Sequence, residues 1–440
     1  MDLAALGRLC SALGGSPDAR KPTGGSNRSR PSLALEQRRR MINPWNSSHE
    51  GSLLTMSSVV LVVLMLAGVS LAGCGGGGST GSTDTTEPVT TEGSEPASES
   101  SGTEVEVAKK VIAPYQGQPP AFPVEEKLKE LPKAGTTIAY PEVATPIGTL
   151  QGEFLDNAAK AMGVTVKRVK AGPAATTSQT GMETIVGLRP AGVVNPALSL
   201  ELYGRQIEQL QEEGAAISTV GISGAENEKY GIEAALSSTP QNEKTGELLA
   251  NYVIAEMSDE ANVVFYEVPQ LPFSAEIGGK FVSELKAKCP KCSVRTADIA
   301  LESFGTTAPN AVVSDLQSNP ETTVAVFTTD EIEIGLPAAL HAAGIEIETL
   351  GYAPTPQNLQ YLKEGKETAG LAYDINLGIW SLLDMTAREI VGQKLTGPES
   401  EGYTATQFLT QKDITFNPEY GWSAYPDFEK RFKEIWGVES

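Results

Sequence analysis

Histidine is almost missing from this chain: His49 and His341 are the only two in 440 residues. That removes most histidine-based metal sites and catalytic triads built on an imidazole base. Cysteine is also scarce, with four in all. Basic residues number 34 against 55 acidic, a net charge of −21. The first 55 residues hold eight basic and four acidic side chains, so the remainder stands at 26 minus 51, or −25. A body of that sign repels phosphate backbones, which argues against nucleic acid as a partner. Neither a P-loop nor an HExxH occurs, and Gly221-Ile222-Ser223-Gly224 misses the GxSxG spacing of a nucleophile elbow. What is present is 40% apolar residues over a length that suits two or three domains.

The amino terminus reads as processing signals rather than structure. Residues 1–55 are rich in Gly, Ser and Arg, with no sustained apolar period, and are expected to be an untranslated or disordered extension. Residues 59–73 are almost continuously apolar. Fifteen residues rise about 22 Å as a helix, short of a ~30 Å hydrocarbon core, so a signal-peptide apolar region fits better than a membrane span. The run ends in Leu71-Ala72-Gly73-Cys74, which resembles the lipobox of bacterial lipoproteins. The resemblance implies a signal peptide over 56–73, a diacylglycerol on the Cys74 thiol and cleavage just before it. The basic cluster Arg38–Arg40 lies well upstream of its usual place, which suggests a later start. A retained helix with a long cytoplasmic tail is the alternative. Residues 74–107 carry Gly, Ser, Thr, Pro and acids but no large apolar cluster, and are expected to form a disordered acidic tether.

From about residue 108 short apolar runs alternate with amphipathic segments. Strands are expected over 136–140, 164–169, 191–194, 215–220, 261–268, 294–297, 322–327, 345–350 and 369–373, with helices between them. This pattern predicts an α/β fold with parallel sheets covered by helices. About nine such units exceed one comfortable open sheet, so two doubly wound parallel-sheet lobes are expected. Ligands of open α/β sheets sit at the carboxyl ends of the strands, which would place a site between the lobes.

The order and spacing over about 134–412 resemble the type I periplasmic substrate-binding proteins of bacterial sugar ABC importers, the ribose- and galactose-binding group. The likeness rests on GVVNPALSLELYGRQIEQLQEEGAAISTV, on NEKTGELLANYVIAEM, on AVFTTDEIEIGLPAALHAAGIEIETLGYAPTPQNLQYLKEG and on GLAYDINLGIWSLLDMTAREIVGQKL. It implies a Venus-flytrap fold with three crossing strands. Lobe one would be 134–240 plus 374–405, and lobe two 241–373 plus 406–440. It further implies ligand contacts from Tyr140, Glu142, Asn195, Phe304, Thr329 and Asp330. Tyr352, Tyr373 and Asp374 stand at or beside strand ends that should face the same cleft, where aromatic faces could hold a ring and carboxylates could take donors or positive charge. Ala353 stands where the family usually has a sugar-binding Asp, Val220-Gly221 replace an Asp-Arg pair, and Glu276 or Ile277 replaces an Arg. These departures weaken the case for an ordinary pentose or hexose.

Other chemistry is thin. Cys289 and Cys292 follow a predicted helix instead of opening one, and are expected to form a short structural disulfide; a reduced pair and a redox or metal role are the alternatives. His341 falls in the last turn of a predicted helix, where a cation complements the dipole. Glu331/Glu333 and Glu346/Glu348 alternate and are expected on solvated faces. The expected function is a lipid-anchored, extracytoplasmic solute-binding protein that delivers a small polar, sugar or sugar-like ligand to an ABC importer. A ligand sensor of the same fold is the alternative, with an extracytoplasmic hydrolase behind it. The expected partners are that ligand, an ABC permease and a membrane reached through the lipid anchor only. No enzyme activity, metal, cofactor or nucleic acid is implied, and a monomer is expected.

Overall fold

Five short runs rich in Val, Ile and Ala build the first sheet. They are β1 (Thr137–Val143), β2 (Thr165–Ala171), β3 (Gly192–Asn195), β4 (Ala216–Val220) and β5 (Ala234–Leu236). All pair in parallel, in the order β2-β1-β3-β4-β5. Every residue of β3 and β4 is buried, as central strands covered on both faces require. At the edge, β2 exposes its polar positions. One face is covered by the helices Pro146–Met162 and Ile375–Ile390, the other by Ala175–Leu188 and Gly204–Glu212.

The second sheet holds β6 (Asn262–Glu267), β7 (Ser293–Asp298), β8 (Val324–Phe327), β9 (Glu348–Tyr352), β10 (Ala369–Tyr373) and β11 (Thr406–Leu409). Its order is β11-β10-β9-β8-β6-β7, parallel except for β11, which runs antiparallel to β10. Two apolar layers cover its faces, one around Phe265 and Phe281, the other around Tyr266 and Phe327. The computed structural model describes residues 100–438 apart from residue 173. The two parallel-sheet lobes expected from the sequence are present. The lipobox, Cys74 and the expected extension and signal peptide lie outside the described residues.

Two expected boundaries change. Residues expected to end a disordered tether are helical, because Ser100–Ile112 folds and buries Ala108 and Ile112 in the core of lobe two. Continuing from that helix, residues 113–133 run across to lobe one. There Val124 and Leu128 are buried, Tyr425 donates its hydroxyl to the Pro119 carbonyl, and the Leu128 N–H donates to the Ile435 carbonyl at 3.0 Å. The carboxyl-terminal segment also departs from expectation: β11 and the turns after it, through Pro418–Tyr420, lie against lobe two, but the helix that follows joins lobe one. Phe428, Phe432 and Trp436 recur at helical spacing on Phe428–Trp436, and that stripe packs on Trp380 of lobe one, with Trp436 stacked on Trp380 at 5.2 Å. A disulfide joins Cys289 to Cys292 after the helix Pro272–Lys288.

Beneath this layer lies a charged cluster. Arg388 is fully buried; its Nε donates to Asp384 Oδ2 at 2.5 Å and lies 3.1 Å from Glu399 Oε2, while Nη2 donates to the Glu126 carbonyl at 2.5 Å. Asp384 Oδ1 accepts Trp436 Nε1 at 2.6 Å. One guanidinium therefore ties the helix Ile375–Ile390 to the crossing segment and, through Asp384, to the carboxyl-terminal helix.

Candidate functional site

The carboxyl ends of the parallel strands from both lobes face one another across a single cavity. Val143 ends β1, Val220 ends β4, Tyr352 ends β9 and Tyr373 ends β10, and all four line it. The cavity has about 740 Å³ of empty space, part of it open to solvent. Its walls are largely apolar, with Ile147, Pro196 and Ala197 from lobe one facing Leu271, Phe273 and Leu301 from lobe two.

Local sequence explains the shape. Thr145 caps the helix Pro146–Met162, accepting the Gly148 N–H at 3.1 Å, and Pro146 suits the first turn. This turns Ile147, Gly148 and Gln151 into the cleft. Gly221 has φ +68, and a Cβ there would come within 3.0 Å of Ala197 and of Phe273 from the other lobe. Ser237 (φ 48) and Ala353 (φ 61) are two of only three non-glycine residues with left-handed backbone among the described residues, and both line the cavity. Strained backbone of this kind concentrates where a binding surface is shaped.

Among the described residues Glu331 is the only carboxylate in the lining, and no Lys, Arg or His joins it there. Its Oε1 accepts the Ile147 N–H at 2.7 Å, a hydrogen bond from lobe one to lobe two. Burial pushes its carboxyl up to about 7, partly offset by that N–H. Behind it Asp330, Glu333 and Glu367 are buried together, each held well above the usual carboxylate range by burial. Glycine makes room for them: a Cβ on Gly351 would fall 1.3 Å from Asp330 Oδ1. Asn358 Nδ2 donates to Glu367 at 3.0 Å and to the Asp330 carbonyl at 2.9 Å. Neither carboxyl oxygen of Asp330 has a hydrogen-bond partner among the described residues. The expectation of solvated faces fails for Glu331 and Glu333, because the 3-10 turn Asp330–Glu333 tucks under β9 and the helix Pro356–Lys363. Glu346 and Glu348 are exposed as expected.

Three of the sequence-expected contacts, Thr329, Tyr352 and Tyr373, line the cavity. The others lie elsewhere. Tyr140 is buried inside lobe one, donating to the Gly148 carbonyl at 3.0 Å and to Gln151 Oε1 at 3.2 Å, so it supports the wall without facing the cleft. Glu142 is paired with Arg168, which also reaches Asp156. Asn195 accepts the Tyr203 hydroxyl at 2.8 Å and donates to the Pro196 carbonyl, fixing the loop that presents Pro196 and Ala197. Phe304 packs in the lobe-two core near Leu301. Asp374 caps Ile375–Ile390 through the Leu377 N–H and takes Ser423 and the Ala424 N–H on its other oxygen. Burial raises its carboxyl to about 6 against those donors. Glu276 accepts from Asn242 at 2.7 Å and from Thr239 at 2.5 Å. Among the described residues no acid, His or Cys group is arranged to hold a metal ion.

Residues 138–394 match the periplasmic binding protein domain family, and the chain belongs to that family. The match spans the β1–β10 framework and the helix that returns to lobe one, and with the two facing lobes it defines a type I periplasmic binding protein, a family of extracytoplasmic binding proteins. Its fold is that of the solute-binding proteins of ABC transporters. A solute-binding protein from Agrobacterium vitis with bound allitol superposes with a TM-score of 0.55 at 18% identity, covering 64% of this chain and 97% of its own. A glucose-galactose binding protein from Geobacillus stearothermophilus gives 0.54 at 16% identity, covering 65% and 100%. An ABC transporter periplasmic solute-binding protein from Actinobacillus succinogenes with bound D-allose gives 0.54 at 15%, covering 64% and 99%. At these identities the likeness is one of fold. No curated protein sequence matches the chain significantly.

Proposed function

We propose that this protein is a lipid-anchored, extracytoplasmic receptor that closes its lobes on one small ring-containing solute and passes it to an ABC importer, without chemical turnover. The observation that carries the reading is the cavity at the facing strand ends, bridged from lobe to lobe by Ile147 and Glu331. Such a cleft buries a ligand and excludes water as the lobes hinge. The allitol and D-allose in the solved relatives, both of six carbons, support a small solute. A thermal-shift screen of the purified protein against sugars, polyols, nucleosides, amines and aromatic acids tests it. One class should raise the unfolding midpoint by mass action, unchanged on recovery. A compound recovered as a converted product would contradict the receptor reading.

The anchor has its own test. A diacylglycerol supplies two chains, at ~0.8 kcal/mol per buried CH₂, where a single chain binds only marginally. No helix among the described residues is long and apolar enough to cross a membrane. Cys74→Ser should therefore shift the protein from the membrane fraction to the soluble one. Retention of that variant in membranes would point to an uncleaved apolar segment instead.

A further inference from the structure

Resting on the reading of the cleft as a solute site, we infer that the solute is a ring-bearing organic cation whose protonated nitrogen is received by Glu331. Three features of the cavity lead there. First, its charge is one-sided: Glu331 is the only carboxylate in the lining, no basic side chain faces it, and it makes no ion pair among the described residues. Asp330, Glu333 and Glu367, close behind, likewise have no cationic partner there. An incoming ammonium would favour the ionised form of Glu331 and give it the partner it lacks, whereas an anion would find no basic side chain in the lining to pair with.

Second, the cavity is poor in free hydrogen-bonding groups. Thr145 is spent on the Gly148 N–H, Gln151 Oε1 on the Tyr140 hydroxyl, and the Asn242 amide on Glu276. Ser237 Oγ and the Tyr373 hydroxyl are buried without a partner among the described residues and are the groups that remain to be used. A sugar presents a hydroxyl on nearly every carbon and would leave most of them unpaired against Ile147, Leu271 and Leu301. Third, Phe273, Tyr352 and Tyr373 offer aromatic surface, which suits an apolar ring and adds attraction for a cation. Glu331 Oε1, held by the Ile147 N–H, is the oxygen for which the ligand would compete.

Matched probes separate this inference from the receptor reading. Benzylamine, cyclohexylamine and tryptamine are titrated calorimetrically into the full chain beside benzyl alcohol and cyclohexanol, with ribose, galactose and allitol as the sugar set. The amines should bind at least about tenfold more tightly than the ring-matched alcohols. Glu331→Gln, which removes a buried carboxylate and should fold, should erase that preference by weakening the amines alone. Binding of a sugar or polyol with no amine preference would overturn the cation while leaving the receptor intact, as would an amine preference that survives Glu331→Gln. If no amine binds, the cation inference fails, while the receptor reading stands or falls by the wider thermal-shift screen.

Discussion

Arg388→Met should destabilise the protein by about 3–5 kcal/mol, because it strands the Asp384 carboxylate in the core without its cation and leaves Glu399 without a donor. For a body of this size that corresponds to a midpoint lowered by roughly 4–7 °C. The volume of the side chain is nearly kept, so the loss comes from orphaned charge and not from a cavity. Adding Glu399→Gln should recover part of it: burial and the nearby Asp384 already raise the Glu399 carboxyl to about 10, and amide replacement removes its need for Arg388. Arg388 also holds the Glu126 carbonyl. The variant should therefore expose residues 113–133 to limited proteolysis before the sheets unfold. A change below ~1 kcal/mol, or a double variant worse than the single, would show that the cluster does not hold the crossing segment.

Stability should fall as pH rises from about 5 to 8. The carboxyls of Asp330, Glu331, Glu333 and Glu367 are all raised by burial, so the folded state binds more protons than the unfolded one. Stability is then greatest below the unfolded carboxylate values near 4 and is lost as pH climbs through the folded ones. For Glu331 the window runs from the ordinary Glu value to about 7, and the loss across it is about 3 kcal/mol. Asp330→Asn removes one of these protons from the balance. It should raise the midpoint at pH 8, change it little at pH 5, and flatten the profile between. Equal midpoints for the wild type at the two pH values would mean that these carboxyls are compensated in the folded state.

The two-lobed fold was readable because its signal is local. Buried central strands such as β3 and β4 are continuous apolar runs, and each is followed by a segment with helical period. The carboxyl-terminal helix carries an equally plain stripe in Phe428, Phe432 and Trp436, yet nothing in the stripe says which lobe it meets; Trp380, 48 positions or more upstream, decides that. The strand-end rule brought Thr329, Tyr352 and Tyr373 to the cleft. It could not supply Ile147, in the first turn of a helix, or Phe273, whose place depends on the lobes approaching at Gly221. Glu331 and Glu333 looked solvent-facing because alternating acids usually are. The glycine at 351 that admits Asp330 beneath β9 lies in a different unit of the chain, and no spacing rule connects the two.

The central claim is that the lobes hinge closed on a solute held between the facing strand ends. Spin labels at Lys160→Cys and Glu321→Cys sit on exposed positions at the ends of the two lobes away from the cleft, one closing the helix Pro146–Met162, the other preceding β8. The distance distribution between them is measured with and without the compound that most raises the unfolding midpoint. The account predicts a broad or two-peaked distribution that collapses to one narrow peak when the compound is bound. A distribution that stays unchanged at saturation would contradict it.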